Sequence, residues 1–383
     1  MVNYFKKEGE RNVMRKHIRK ISILICLSSI LYGCGKKDTA EENTNTSTNE
    51  LQMVYFADLG SYPIEDLNKD IQVVNIGNRF DLPLSTIGND GSILLGNVPR
   101  DESEYSIIYL FNVEDGSDIE LDRVKATKHY GFAYQDEEMI VYFTYYVWGV
   151  SAIPIEYYIY YKDTQEKETM KLSESVEVHR ELMIDIRMVR IDDELYFEVQ
   201  DRAPTFKENE DVYDDNGASI YKYNLNTKEI SFVTRGMSPR VYKDELIYIN
   251  NNQVAEIVTM EGEVITDSVI DYYTYDDMII AVRYVDEICW YVLIKDGEEK
   301  VLFTRNYSGH FWSISTNGKY ITWDQSAKGL CFYDIEKDSL VQIDPTAGGM
   351  TVASEKYLHW SENLNPDDKF NGELVIKYIK LTE

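Results

Sequence analysis

Short runs of alternating hydrophobic and polar residues fill the chain from about Ile71 onward. The hydrophobic members are mainly Tyr, Ile, Val and Phe, and clusters of Asp, Asn, Gly and Glu separate the runs. Alternation with a period of two predicts β-strands, and no long segment has the period of an amphipathic helix. An acidic or Asn/Gly turn followed by an apolar strand recurs along the chain, which predicts an all-β repeat protein. The copies begin at Ile93, Met139, Leu195, Leu246, Met278, Tyr320 and Tyr357.

A partner strand follows each copy, and all but the last lead into a tight turn. Turns such as Asp115-Gly116 and Asp296-Gly297 favour β-hairpins because glycine adopts positive φ readily. The last partner strand ends at Lys380, and no hairpin partner follows it in the sequence. The predicted partner strands are Ile107–Val113, Ile155–Lys162, Ser219–Leu225, Val254–Met260, Trp290–Lys295, Cys331–Ile335 and Leu374–Lys380.

The final strand needs a partner from elsewhere in the chain, because exposed sheet edges promote aggregation. Circular repeat folds meet this need by letting the other end of the chain complete the last sheet. The segment Ile71–Ile76 lies just before the first copy and is the natural partner. We therefore expect an all-β fold, a β-propeller of seven four-stranded blades closed by an N-terminal strand. Six or eight blades are alternatives, because the repeat spacing is irregular.

Some repeats resemble those of a known family. The segment Ser315–Trp323 (STNGKYITW) resembles the Ser-Pro-Asp-Gly-Lys-x-Ile-Ala-Phe repeat of TolB-like propellers, although it lacks the Pro-Asp pair of that family. Asp193–Tyr196 together with Ile220–Leu225 is similar in kind. The resemblance covers roughly residues 71–380 and implies the propeller fold. It says little about chemistry, since propellers serve in binding, scaffolding and catalysis alike.

The charge of the chain restricts its partners. Its 383 residues include 67 acidic and 39 basic side chains, for a formal net charge of −28. Like charges repel, so this excess argues against nucleic acid or an anionic lipid surface as a broad partner. Residues 1–33 are the exception, because they carry seven basic and two acidic side chains.

This basic segment leads into an uncharged apolar run, Ile21–Leu31. The run is too short to span a bilayer, which needs about 20 residues. A basic start followed by such a run is typical of a secretory signal. The run ends in Leu31-Tyr32-Gly33-Cys34 and resembles a bacterial lipoprotein signal, although Tyr32 departs from the small or β-branched residue usual there. The resemblance implies cleavage before Cys34 and a lipid on its thiol. Met14 is an alternative start of translation.

Three regions are therefore expected along the chain. Residues 1–33 form a lipoprotein signal peptide, residues 34–50 a lipidated Cys34 with a solvated tether, and residues 51–383 a single β-propeller domain. The lipid on Cys34 would hold the protein on the extracytoplasmic face of the cell membrane.

Arginines on the rim of longer loops are candidates for ligand binding. Propeller geometry places the first-to-second and third-to-fourth turns on one rim, and the longer loops, where binding residues concentrate, on the other. Three strand ends on the long-loop rim carry Arg123, Arg235 and Arg305. If these converge near the channel, with His310 beside Arg305, they would form an anion or carboxylate site. Pairing of the arginines with neighbouring carboxylates is the alternative.

Aromatic residues in one long loop are further candidates. Tyr145, Tyr146 and Trp148 lie close together in sequence and could stack on a sugar or a peptide. Packing between blades is the alternative.

Cys289 and Cys331 are expected to be buried free thiols. A disulfide needs Cα atoms within about 7 Å, whereas packed sheets lie about 10 Å apart.

Enzyme and metal signatures are weak. Gly236–Arg240 departs from the Gly-x-Ser-x-Gly nucleophile motif at its last position, and Asp211–Gly217 does not fit an EF-hand loop. The histidines show no metal-ligand spacing, so no catalytic residue, metal site or cofactor is assigned. The main hypothesis is a lipid-anchored binding or scaffold module for a protein, peptide or glycan. The alternative is a hydrolase or lyase acting on a glycan or peptide, and whether the chain is an enzyme stays open.

Overall fold

The computed structural model describes residues 58–67, 70–77, 82–97, 105–125, 128–146, 154–172, 188–202, 205–206, 213–215, 217–250, 255–306, 314–325, 330–344, 349–363 and 374–381. These residues form seven blades of four antiparallel strands, with almost no helix. The seven-bladed propeller predicted from the sequence is confirmed. The predicted signal peptide, Cys34 and the tether lie outside the described residues.

We number the strands of each blade from the channel outward. Blade 1 consists of Leu82–Pro83, Ser92–Asn97, Tyr105–Asn112 and Asp118–Lys125; blade 2 of Lys128–Gln135, Met139–Tyr146, Pro154–Tyr161 and Lys167–Met170; blade 3 of Met188–Ile191, Glu194–Gln200, Ala218–Asn224 and Ile230–Arg235; blade 4 of Met237–Tyr242, Glu245–Ile249, Ile257–Thr259 and Val264–Thr266; blade 5 of Val269–Tyr275, Met278–Val285, Ile288–Lys295 and Glu298–Asn306; blade 6 of Ile314–Thr316, Tyr320–Gln325, Leu330–Asp334 and Ser339–Asp344; and blade 7 of Gly349–Ala353, Tyr357–Asn363, Leu374–Lys380 and Gln72–Gly77. A short hairpin, Thr205–Phe206 with Tyr213–Asp215, lies between the second and third strands of blade 3.

The N-terminal strand closes the ring. Gln72–Gly77 pairs antiparallel with Leu374–Lys380, in a register that sets Gln72 opposite Tyr378 and Asn75 opposite Val375. The last blade therefore takes three strands from the C-terminal part of the chain and its fourth from the N-terminal part, as expected. This pairing removes the open edge that the sequence left at Leu374–Lys380.

The preceding segment adds a feature that the pattern did not predict. Ser61–Pro63 pairs parallel with Ser339–Asp344 and forms a fifth strand on blade 6, and the 3₁₀ turn Ile64–Leu67 follows it. Asp324 and Gln325 also pair with Met350 and Gly349, which joins blade 6 to blade 7. The N-terminal segment thus lies along the outer edges of both blades. None of the helices among the described residues is long and apolar enough to cross a membrane.

The core lies between blades, because both faces of the second strand of each blade pack against neighbouring blades. In the second strand of blade 1, Ser92–Gly96 are all buried, unlike a strand with one face in water. Trp323 and Trp360, which end the two most similar repeats, are almost fully buried. Cys289 and Cys331 are buried free thiols in one hydrophobic cluster between blades 5 and 6, as expected.

The antiparallel strands define two rims. We call the rim of the first-to-second and third-to-fourth turns the short-turn rim. It carries acidic turns such as Asp136–Glu138, Asp192–Asp193 and Asp276–Asp277. The opposite rim carries the second-to-third loops and the connections between blades, and we call it the long-loop rim.

Candidate ligand site in the central channel

The first strands of all seven blades surround a central channel with a cavity of about 800 Å³. Each first strand runs towards the short-turn rim, because it leads into the first-to-second turn. The lining reaches those turns at Gln135, Lys243–Asp244 and Asp276. The cavity therefore extends to the short-turn rim, opposite to the rim where the sequence predicted a site.

One side of the channel carries cations and aromatic rings, contributed by blades 2 to 5. Aromatic side chains offer a flat apolar face with a polar end, and guanidinium groups bind carboxylates through paired hydrogen bonds. This side can therefore hold a flat ring and an acidic group. We call it the cationic-aromatic wall, and its members are Phe132, Tyr134, Arg190, Arg240, Lys243, Tyr273 and Tyr275.

The other side carries hydroxyl groups, contributed by blades 6, 7 and 1. Two of these hydroxyls are oriented by the backbone: Leu94 N donates to Ser85 Oγ at 2.9 Å, and Ala353 N donates to Ser315 Oγ at 3.0 Å. A hydroxyl has one proton and two lone pairs. Ser85 Oγ donates its proton to the carbonyl of Thr86 at 2.9 Å and so retains one acceptor position, and Ser315 Oγ also forms a hydrogen bond with Thr322 Oγ1 at 2.5 Å. We call this side the hydroxyl wall, and its members are Ser85, Thr86, Ser315, Thr351 and Ser361.

The cations of the channel differ in their protein partners. Arg190 Nη1 lies 2.9 Å from Asp136 Oδ2 and 2.6 Å from Glu138 Oε2, and its Nε donates to the carbonyl of Asp192. Burial opposes the charge, but the hydrogen bonds that Arg190 donates to Glu138 and Asp136 prevail and raise the pKa of Arg190 above its ordinary value. Arg190 is therefore a charged link between blades 2 and 3, already balanced by carboxylates. Lys243 lies at the mouth, with Nζ 5.1 Å from the centre of the Tyr242 ring.

His359 lines the channel cavity as a neutral group. It is buried, and burial lowers the pKa of its imidazole to about 3. Its Nε2 accepts a hydrogen bond from the backbone N–H of Ile87 at 3.4 Å. The ring therefore joins blade 7 to the segment that follows the first strand of blade 1, which is a structural role.

The arginines predicted from the sequence do not come together. Arg123, Arg235 and Arg305 lie on the fourth strands of blades 1, 3 and 5, which are the outermost strands of three non-adjacent blades. None of the three lines the channel cavity. The end of a strand is thus far from the channel when that strand is the outermost one of its blade.

Their surroundings also differ. Arg123 donates two hydrogen bonds to Glu120, at 2.8 and 2.7 Å, so it follows the carboxylate-paired alternative. Arg235 is exposed at the end of its strand. Arg305 is half-buried opposite Cys289, and its charge partly offsets the burial that raises the pKa of that thiol. His310 lies outside the described residues.

The aromatic candidates give a similar result. Tyr145 is half-buried and packs against the hydrophobic cluster between blades 2 and 3, with its ring 6.0 Å from that of Phe143. This is the packing role that the sequence left as the alternative. Tyr146 ends the second strand of blade 2, and Trp148 lies outside the described residues.

The channel residues on the first strands were missed by sequence reasoning. Arg240 lies in the segment Gly236–Arg240, whose sequence indicated only a departure from the Gly-x-Ser-x-Gly nucleophile motif. Tyr273 and Tyr275 lie in an ordinary strand pattern. The available signal was their position, since they lie within three residues of first-to-second turns and first strands line the channel of a propeller. Within the described part of the chain, no group of three or more His, Cys, Asp or Glu side chains could hold a metal ion.

Comparison with solved structures supports the fold. The chain is similar to an oligogalacturonate lyase in complex with manganese, with a TM-score of 0.51 and 10% identity over 82% of this chain and 91% of that chain. It is similar to the oligogalacturonate lyase of Vibrio parahaemolyticus, with a TM-score of 0.50 and 9% identity over 82% of this chain and 99% of that chain. A prolyl endopeptidase also matches, with a TM-score of 0.51 and 11% identity over 80% of this chain and 51% of that chain.

At these identities the similarity shows the propeller fold alone. No family model matches the chain, and no curated protein matches it in sequence. The described residues offer no group of ligands for the metal present in the first of these structures.

Proposed function

We propose that this chain is a binding module that takes an acidic oligosaccharide into its central channel, and that it acts outside the cytoplasm as a protein anchored by lipid on Cys34. The observation that carries the proposal is the two-sided channel, in which the cationic-aromatic wall faces the hydroxyl wall across about 800 Å³. Ligand sites of this size, with a few convergent polar groups, are typical of small-molecule and oligomer binding.

An acidic sugar fits both walls. Its flat faces can stack on Tyr273 or Tyr275, its carboxylate can pair with a guanidinium group, and its hydroxyls can bond to Ser85 and Ser315. Among the protein, peptide and glycan partners considered from the sequence, the glycan makes the fullest use of the hydroxyl wall.

The test is equilibrium binding measured by calorimetry, with a galacturonate trimer as the probe and a neutral galactose trimer as the comparison. Thr86→Trp places a large ring in the cavity, whereas Thr227→Trp makes the same change at an exposed third-to-fourth turn of blade 3. We expect the wild type and Thr227→Trp to bind the acidic trimer and Thr86→Trp to lose binding while keeping its circular dichroism spectrum. Equal binding by a folded Thr86→Trp would contradict a channel site.

A second candidate function is a lyase or hydrolase acting on a glycan or peptide in the same channel. The structural neighbours include an oligogalacturonate lyase and a prolyl endopeptidase. Both are enzymes, which supports the enzyme hypothesis more than the scaffold hypothesis. Incubation with oligogalacturonate, followed by mass spectrometry for shortened and unsaturated products, distinguishes the two. Product formation that Thr86→Trp abolishes would favour the enzyme, and an unchanged trimer after binding would favour the binding module.

The lipid anchor is tested separately. Expression in a bacterial host with an alkyne-bearing palmitate should label the wild type, and Cys34→Ser should remove the label while the precursor accumulates. Labelling of Cys34→Ser at the wild-type level would contradict lipidation at this residue.

A further inference from the structure

The first strand of blade 4 contains a bulge just before Arg240. Met237 pairs with Ile249 and Arg240 pairs with Ile247, so two residues, Ser238 and Pro239, lie opposite one residue of the second strand. A bulge of this kind redirects the side chains that follow it, and bulges often occur next to binding sites. The bulge therefore determines where the side chain of Arg240 points.

Glycine is required where the bulge begins. A Cβ atom at Gly236 would lie 2.4 Å from the Tyr248 ring and 2.8 Å from the carbonyl oxygen of Ile249. Ser238 has φ of 54°, a left-handed conformation that is unfavourable for residues other than glycine. The segment is therefore strained, and such strain persists only where surrounding contacts hold it.

Two neighbouring blades hold the strained residue. The backbone N–H of Ser238 donates to Glu198 of blade 3 at 2.8 Å. The hydroxyl of Tyr272 in blade 5 donates to the carbonyl of Ser238 at 2.6 Å, and it also lies 3.0 Å from the carbonyl of Ile247. The N–H and the carbonyl of Ser238 are thus fixed from opposite sides, so the conformation of this residue is well determined.

Arg240 follows the bulge and contributes to the channel lining. Its side chain is only 6% exposed, its Nη1 donates to the carbonyl of Pro239 at 2.9 Å, and its guanidinium carbon lies 5.0 Å from the centre of the Tyr273 ring. Stacking on a ring fixes the plane of the guanidinium group, which then presents its donors in a fixed direction. In an enclosed site a charge interacts with an anion more strongly than it does in water.

We propose that Arg240 is the specificity-determining residue of the channel and that it holds the carboxylate of the ligand, while Glu198 and Tyr272 are positioning residues that act through the bulge. This inference rests on the proposed function. Arg240 is buried, whereas Arg190 is half-buried and Lys243 at the mouth is exposed. Arg240 is thus the channel cation best placed to select an acidic over a neutral sugar.

The test measures the ratio of affinities for the galacturonate trimer and the neutral galactose trimer in the full chain. Arg240→Met should lower the affinity for the acidic trimer about ten-fold or more, as expected for charged hydrogen bonds, and leave the neutral trimer unchanged. Arg240→Lys should restore part of the ratio, because it keeps the charge but not the fork of donors. Arg123→Met, on the outermost strand of blade 1, is the control and should leave the ratio at the wild-type value.

Tyr272→Phe tests the positioning role and does not alter the cation itself. It should lower the affinity for the acidic trimer, by a smaller factor than Arg240→Met, without changing the affinity for the neutral trimer. An acidic-to-neutral ratio that stays at the wild-type value in both Arg240→Met and Arg240→Lys would overturn this inference alone. A wild type that binds neither trimer would overturn the proposed function and this inference with it.

Discussion

Ile76 provides a direct test of ring closure. It lies on the strand that completes blade 7, its side chain is 5% exposed, and it belongs to a hydrophobic cluster shared by blades 7 and 1. Its neighbours in that cluster include Ile87 and Ile93 of blade 1 and Ile376 of blade 7. One side chain of the N-terminal segment therefore joins the last blade to the first.

The expected loss for Ile76→Ala follows from this burial. The substitution removes three carbon atoms, which at about 0.8 kcal/mol for each methylene amounts to roughly 2.4 kcal/mol. A cavity left between two packed sheets raises the loss to about 3–4 kcal/mol. The matched control is Val73→Ala on the same strand, where the side chain is 59% exposed, and we expect a change within about 0.5 kcal/mol.

The assay is guanidinium denaturation of both variants and the wild type, followed by tryptophan fluorescence and circular dichroism. We expect a lower midpoint for Ile76→Ala with an unchanged slope, because the same surface is exposed on unfolding. Equal midpoints for Ile76→Ala and Val73→Ala would refute the idea that this strand packs as the closing member of the ring.

Three further outcomes are expected. Gly236→Ala should destabilise the fold more than Gly60→Ala, because a Cβ at Gly236 meets Tyr248 and Ile249 whereas one at Gly60 meets only Ser339 Cβ at 4.0 Å; comparison of denaturation midpoints checks this, and equal midpoints would contradict it. Cys289 and Cys331 should resist iodoacetamide until the chain unfolds, as read by peptide mass mapping, and rapid alkylation of native protein would show that they are accessible. Burial holds the pKa of His359 near 3, so the unfolded chain binds a proton that the folded chain does not. Stability should therefore fall by about 1.4 kcal/mol per pH unit as the pH drops from about 6.5 towards 3, and His359→Gln, measured by denaturation at several pH values, should remove this contribution; an unaltered pH profile would contradict it.

Much of the fold was predictable because the second strand of each blade is buried on both faces. That burial leaves a run of apolar residues next to a turn, and each predicted copy begins within one residue of an observed second strand, as at Ile93, Leu195 and Leu246. The closing strand was predictable for a different reason, since Leu374–Lys380 lacked a local partner. Both signals are local in sequence or follow from counting strands.

The fifth strand on blade 6 had no such signal. Ser61–Pro63 contains only three residues, one of them proline, and its pairing with Ser339–Asp344 depends on contacts between distant parts of the chain. Proline lacks an N–H group and is tolerated in a sheet mainly at an edge. This strand is at an edge, so its position is consistent with its sequence but could not be derived from it.

The candidate arginines predicted from the sequence lie away from the channel for a physical reason. Sequence periodicity tells at which end of a strand Arg123 or Arg235 lies, but distance from the channel depends on which strand of the blade carries the residue. In blades 1 and 3 the fourth strand is the outermost one, so Arg123 meets Glu120 and Arg235 is exposed. Arg240 was missed because its orientation depends on a bulge, which alternation does not reveal.

The most direct test of the channel as the ligand site is a crystal structure of the chain with a galacturonate oligomer. We predict electron density for the sugar between the two walls, with a carboxylate within hydrogen-bonding distance of Arg240 and sugar hydroxyls towards Ser85 and Ser315. Density for the oligomer at the outer arginines Arg123 or Arg235, with an empty channel in the same crystal, would contradict the account.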